Sequence, residues 1–267
     1  MANHESVLIT GASSGIGAAL AEACAHPGTH LHLSGRDRAR LDTVADACRA
    51  AGAMVAATVL DVTDAAAVAA WMRAAGRLDL VIANAGIGAG VDGGGPEPAA
   101  QVRAIFATNL DGVLNTVLPA LDAMAAQAPG ADGVRGRIAV IASIAAFVAA
   151  PAAPSYCASK AAVDAFTVAT APSAARVGVR LTSVCPGYIR TAMTADNPFP
   201  MPGLMDAPQA ALLILRGIAA GRTRIVFPWW MGLASRLAGL LPPRLLAAAM
   251  SSQRGKPPLR AGATQPN

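Results

Sequence analysis

The chain has 267 residues, of which 54% are hydrophobic, 14% charged and 4% aromatic, with a mean hydropathy of +0.45. That suits one or at most two compact, well-cored domains and excludes disordered, collagen-like and disulfide-stapled chains. The formal charge is +5, but the arginines are scattered among carboxylates with no basic stripe interleaved with aromatics, so nucleic acid is not an expected partner.

Strand-like apolar runs alternate with longer helical stretches. Residues 6–9 predict a strand that enters a glycine turn and an alanine-rich helix to about residue 25. Strand 30–34 and helix 37–50 follow, then strand 54–60, helix 65–75 and strand 78–83. Next come a long helix at about 98–126, a strand at 137–142, a helix from 155 to about 170 and a strand at 179–184. A helix near 207–220 and a last strand at 223–227 close the series. Repeated βα units imply an α/β fold with a doubly wound, mostly parallel seven-stranded sheet, flanked by helices. Its ligand crevice should lie at the carboxyl ends of the strands. The Gly/Pro-rich stretches 86–98 and 129–136 read as surface loops.

Cys24, Cys48, Cys157 and Cys185 are far apart and form no Cys-x-x-Cys pair. They read as small buried residues of a reduced, cytoplasmic protein, because the N-terminus shows no basic region followed by an apolar stretch. His30 and His32 share a strand face, but two imidazoles without a third ligand do not make a zinc site, and no metal is expected. Only Lys160 and Lys256 are lysines among 21 basic residues. Where arginine supplies charge by default, an interior lysine hints at chemistry that needs a compact ammonium.

The first turn reads Thr10-Gly11-Ala12-Ser13-Ser14-Gly15-Ile16-Gly17, directly after a strand and opening a helix. Glycines there let backbone amides approach a pyrophosphate at the helix N-terminus. The second strand ends Leu33-Ser34-Gly35-Arg36-Asp37. Gly35 at its tip offers no carboxylate for ribose hydroxyls, whereas Arg36 suits a 2′-phosphate, so NADP(H) is preferred over NAD(H). Asp37 can at the same time cap the next helix. Tyr156 and Lys160 stand four apart at the start of a helix, hence on one face. A phenol titrates near 10, and lowering it by about three units takes on the order of 4 kcal/mol of differential stabilisation. A nearby ammonium and a cationic nicotinamide can supply it jointly. Ser143 ends the preceding strand, so its hydroxyl and that of Tyr156 can converge on one carbonyl oxygen.

Together with Asn84-Ala85-Gly86, Asn109 and Pro186-Gly187, these motifs resemble the short-chain dehydrogenase/reductase family over about residues 5–227. The resemblance implies a single Rossmann-like domain that uses a nicotinamide cofactor to interconvert carbonyls and alcohols. By it Tyr156 is the general acid/base, Lys160 lowers its pKa and binds the nicotinamide ribose, Ser143 polarises the carbonyl, and Asn109 holds a water in a proton relay. Gly11, Ser13, Ser14, Gly15, Ile16, Gly17 and Arg36 would hold the nucleotide, Asp61 and Val62 would flank adenine, and Asn84, Ala85 and Gly86 would support the fourth strand and cofactor. Pro186, Gly187, Ile189 and Thr191 would meet the nicotinamide side. Two departures stand out: Pro172 should end or kink the later part of the catalytic helix, which bears on the homodimer or homotetramer expected of the family, and loop 127–135 looks long.

Ile144, Phe147, Val148, Pro151, Tyr188, Met193, Phe199 and Met201 would wall the pocket and suit a small apolar carbonyl or alcohol. After the last strand an apolar segment carries Trp229, Trp230, Arg236 and several leucines. It is too short and interrupted to span a membrane. Residues 1–227 are thus expected to form the domain, 228–250 a helical extension packed on it, and 251–267 a mobile tail. The rival reading of 227–250 is a helix lying in a membrane interface at the inner face of a membrane, with a lipid as substrate. A non-catalytic NADP(H)-binding redox sensor is the other rival.

Overall fold

A computed structural model describes residues 5–91, 95–250, 256, 258 and 259. The strands are β1 (Ser6–Ile9), β2 (His30–Gly35), β3 (Met54–Val59), β4 (Leu80–Ala83), β5 (Gly136–Ile141) and β6 (Val179–Pro186), with the short β7 (Ile189–Arg190) and β8 (Met205–Asp206), then β9 (Arg224–Phe227). Seven of them form one sheet in the order β3-β2-β1-β4-β5-β6-β9. Every pairing in it is parallel. β7 and β8 pair separately. The strand order reverses between β1 and β4, and such a switch point leaves a crevice above the strand ends.

Alternation along the strands divides the core in two. Val7, Ile9, Leu31, Leu33 and Ile82 pack under α1 (Gly15–Cys24), α2 (Arg38–Ala50) and α8 (Ala207–Ala219). Leu8, Val81, Ile138 and Val140 face α3 (Ala65–Ala75), α5 (Gly112–Ala126) and α6 (Pro154–Arg176). Strands covered on both faces explain the nearly unbroken apolar runs of the sequence.

The long helix expected at 98–126 is present but not uniform. It starts as α4 (Ala99–Phe106), loosens into a π-turn at Ala107–Asp111 and resumes as α5. Such π-turns concentrate at functional sites, and this one carries Asn109. α6 also departs from expectation, for it runs 23 residues straight through Pro172. A helical φ suits proline, and the helix continues although Pro172 has no amide to donate to the Val168 carbonyl and its ring crowds that carbonyl. Buried Ala171 and Ala174 on either side keep the last turns on the sheet. Within the loop expected at 86–98, Gly86–Gly90 is buried rather than on the surface, with Ile87 and Ala89 packed against Ile105. The short helix α7 (Ala192–Ala195) and the C-terminal α9 (Trp229–Gly239) and α10 (Pro243–Met250) complete the chain. Most of the expected mobile tail lies outside the described residues. Within it, the Lys256 ammonium donates to the Met193 carbonyl and the Leu259 amide to Gln101 Oε1 at 2.7 Å.

One buried carboxylate joins α6 to the sheet. Asp164 accepts from Ser183 Oγ at 2.6 Å, from Cys185 Sγ at 3.4 Å and from the Arg224 guanidinium at 2.9 and 2.7 Å. Its side chain is 7% exposed and that of Arg224 32%. Replacing Asp164 by Ala strands three donors, one of them a partly solvated cation. The expected cost is about 2 to 3 kcal/mol in denaturant unfolding; a loss below about 1 kcal/mol would contradict this role for Asp164.

Candidate active site

The cleft is built outward from the turn between β1 and α1. Gly11 and Gly15 take positive φ, +65° and +59°, which side chains resist. A Cβ on Gly11 would sit 2.8 Å from the Ala85 backbone, and one on Gly17 2.2 Å from the Gly11 carbonyl oxygen. Asn84 locks the approach, donating from Nδ2 to the carbonyls of Thr10 and Gly11, each at 3.0 Å. Thr10 Oγ1 accepts from the amides of Asn84 and Ala85 in return. Ser14 stands at the N-cap of α1 but makes no side-chain cap bond, which leaves the first-turn amides for a ligand. Ser13 lies against Gly35. This cradle fits the pyrophosphate of a dinucleotide.

A shallow depression continues from it over the tips of β2 and β3, lined by Gly35, Arg36, Asp61, Val62, Ala85 and Thr108. Arg36, Asp61 and Val62, expected on the adenosine side, meet here, and Thr108, within the π-turn, joins them without having been foreseen. Asp37 does cap α2, accepting from the Arg40 amide at 3.0 Å and pairing with its guanidinium at 3.0 Å. These contacts hold its carboxyl below the usual aspartate range.

Ser143, Tyr156 and Lys160 line the deep end of the cleft, with Gly86, Pro186, Gly187, Ile189 and Thr191 around them. Ser143 ends β5 and caps the 3-10 turn Ile144–Phe147, its Oγ accepting from the Ala145 amide at 3.1 Å. The Ser143 side chain beside Tyr156 favours phenolate, yet burial outweighs it and pushes the phenol up to about 12. The buried Lys160 ammonium lies 5.9 Å from the Tyr156 ring centre and donates to the Ile141 carbonyl at 2.7 Å. Burial brings its pKa down to about 8.

Asn109 is fully buried and holds the cleft floor. Its Oδ1 accepts from the Ile87 amide at 2.8 Å, and its Nδ2 donates to the Ile87 carbonyl at 2.9 Å and to Ser159 Oγ at 3.2 Å. Ser159 passes the link to the Tyr156 carbonyl at 2.8 Å. A Cβ on Gly86 would come within 3.3 Å of Asn109 Oδ1 and 3.4 Å of Lys160 Nζ, so Gly86 keeps the space between them open. Sequence reading missed Glu97, which accepts from the Ser155 amide at 3.0 Å and from its hydroxyl. A carboxylate from a distant loop thus caps the helix that carries Tyr156 and Lys160. No local Ser-x-x-Glu pattern could have announced it.

Of the apolar wall expected from the sequence, Met193 lines the cleft with its sulfur toward Gly88. Phe147 belongs to packing instead, its ring held by the guanidiniums of Arg224 and Arg236 at 5.7 and 4.5 Å. Tyr188 and Phe199 pack on each other, ring centres 6.0 Å apart. Among the described residues no group of three His, Cys, Asp or Glu could hold a metal ion.

Comparison with known proteins gives this arrangement its family. The family model for short chain dehydrogenases matches residues 5–199. An oxidoreductase of Myxococcus xanthus is 36% identical over 254 residues, 92% of this chain and 96% of the relative. A short chain dehydrogenase/reductase of Burkholderia phymatum in complex with NAD superposes with a TM-score of 0.77 at 26% identity, covering 96% of this chain and 97% of its own. A short-chain dehydrogenase from Sphingobium yanoikuyae in complex with NADPH gives 0.76 at 26% identity, covering 97% and 98%. The chain belongs to the short-chain dehydrogenase/reductase family and is an oxidoreductase of the nicotinamide-dependent, alcohol–carbonyl type.

The protein has two tyrosines, and burial raises the pKa of both Tyr156 and Tyr188. Burial disfavours the phenolate, so in an ultraviolet titration of the cofactor-free protein neither should be half ionised at pH 10, where a free phenol is. A phenolate signal with its midpoint at or below pH 10 would contradict the buried geometry.

Proposed function

We propose that this protein is an NADPH-dependent reductase of apolar carbonyl compounds, with Tyr156 as the proton donor. The observation that carries the reading is that Ser143, Tyr156 and Lys160 line one end of the cleft that begins at the glycine cradle. A carbonyl oxygen placed between them accepts a hydrogen bond from Ser143 and a proton from Tyr156. A nicotinamide bound beside them would supply the hydride. Lys160, with a pKa of about 8, is mostly ammonium at neutral pH and favours the phenolate that proton transfer leaves behind. Asn109 fixes the floor beneath them, and the water relay through Lys160 is proposed to run past its Oδ1.

The choice of NADPH rests on β2. Its tip is Gly35, Arg36 lines the adenosine-side depression, and Asp37 is engaged with α2 and Arg40. A guanidinium there matches a 2′-phosphate, and no carboxylate at the strand tip claims the ribose hydroxyls. The apolar residues near the substrate end, Met193 above all, favour a carbonyl without charge.

Nicotinamide fluorescence titration of the wild type and Arg36→Ala tests the choice. NADPH should bind at least about tenfold more tightly than NADH, and the variant should lose most of that difference, about 1.4 kcal/mol or more. Equal or tighter NADH binding by the wild type would overturn the cofactor assignment.

A further inference from the structure

One large surface remains unused by carbonyl reduction, and it lies on the two C-terminal helices. α9 and α10 bury Met231, Gly232 and Leu246 against the domain. The fit is close: a Cβ on Gly232 would sit 2.2 Å from Val226 Cγ1, and one on Gly239 2.1 Å from the Phe147 carbonyl oxygen. The opposite side presents Trp229 (74% exposed), Trp230, Leu233, Leu237, Leu240 (81%) and Leu241, continued on α10 by Leu245. Residues 229, 233 and 237 fall at helical spacing on one stripe. Together they bare on the order of several hundred Å² of apolar surface, more than a scatter of single exposed side chains accounts for.

Charge selects what covers it. The mixing of arginines with carboxylates that holds for most of the chain stops at residue 206: from 207 onward the sequence holds eight Arg or Lys and no Asp or Glu, and all sixteen carboxylates lie before that point. One of the eight, Arg224, is paired with Asp164. Self-association through this face would bring two such basic segments together, which like charges oppose. A bilayer with anionic headgroups offers the reverse: an acyl layer for the leucines, an interfacial depth for the tryptophans and negative charge for the arginines. At 11 residues α9 falls well short of the roughly 20 needed to cross a bilayer, so it can lie on the surface but not span it.

We propose that α9 and α10 dock this protein flat on an anionic lipid surface. The docking element also supports the cleft. Arg236 stacks on Phe147 at 4.5 Å, in the turn that Ser143 opens. Pro228 and Met231 pack against Gly187, and Trp230 against Gly203. The same helix therefore meets lipid on one side and buttresses the substrate end on the other.

Flotation of the full-length protein with phosphatidylcholine vesicles containing about 30% phosphatidylserine, beside pure phosphatidylcholine vesicles, tests the proposal. Partitioning onto the anionic vesicles should be at least about tenfold stronger and should weaken with added salt. Emission should shift to the blue, because Trp229 and Trp230 are two of the three tryptophans. Combining Trp229→Ser, Leu237→Ser and Leu240→Ser should cut partitioning by at least about tenfold, with NADPH affinity and circular dichroism unchanged. If that variant does not fold, Trp229→Ser alone should give a drop of about threefold or more. Absence of binding to anionic vesicles, or equal binding by wild type and the folded variants, would overturn the proposal. A wild-type dimer that the substitutions dissolve, without vesicle binding, would assign the face to a second copy and overturn it equally.

Discussion

β1 and β4 lie side by side at the point where the strand order reverses, and the turns that leave them have to share space. That close approach is the constraint on which the cleft depends. Thr10 makes two hydrogen bonds with Asn84 and a third with the Ala85 amide across it, and Gly11 and Gly17 leave no room for a Cβ. Any side chain at Gly17 would push α1 off the strand ends and carry its first-turn amides with it. Dinucleotide binding thus begins as a packing problem: a helix N-terminus is useful only when backbone can come as near as this.

The reacting groups depend on a second piece of the fold, the first turns of α6. Glu97 caps its start, Ser159 ties it to Asn109 in the π-turn, and Asp164 ties its middle to β6 and β9. A loop, the π-turn and two strands outside α6 therefore fix where Tyr156 and Lys160 point. Burial dominates the ionisation of both groups, raising the phenol of Tyr156 and lowering the ammonium of Lys160. Burial holds the phenol at about 12, and a cationic nicotinamide beside it would lower that value.

Much of this was legible in the sequence because it is local. Seven strands in parallel order follow from apolar runs alternating with helical stretches, and Thr10–Gly17, Ser143 and Tyr156 with Lys160 sit where strand ends and helix starts place them. What escaped is non-local. Glu97 caps a helix 58 residues away, and the β7–β8 pair joins two-residue strands too short for any periodicity. Phe147 looked like pocket wall because only the fold reveals that two arginines claim its ring. Pro172 looked like a helix end because propensity is read without the buried alanines that hold its flanks. The stretch from Gly86 to Gly90 has loop composition but a buried position, since Asn109 binds it down.

Tyr156 is proposed as the proton donor in a site that binds the cofactor independently of it. Turnover of NADPH with a panel of apolar ketones, measured beside NADPH affinity for wild type and Tyr156→Phe, tests that claim most directly. Affinity should stay within about threefold and turnover fall by a factor of about 100 or more. A variant that turns over at the wild-type rate would contradict it.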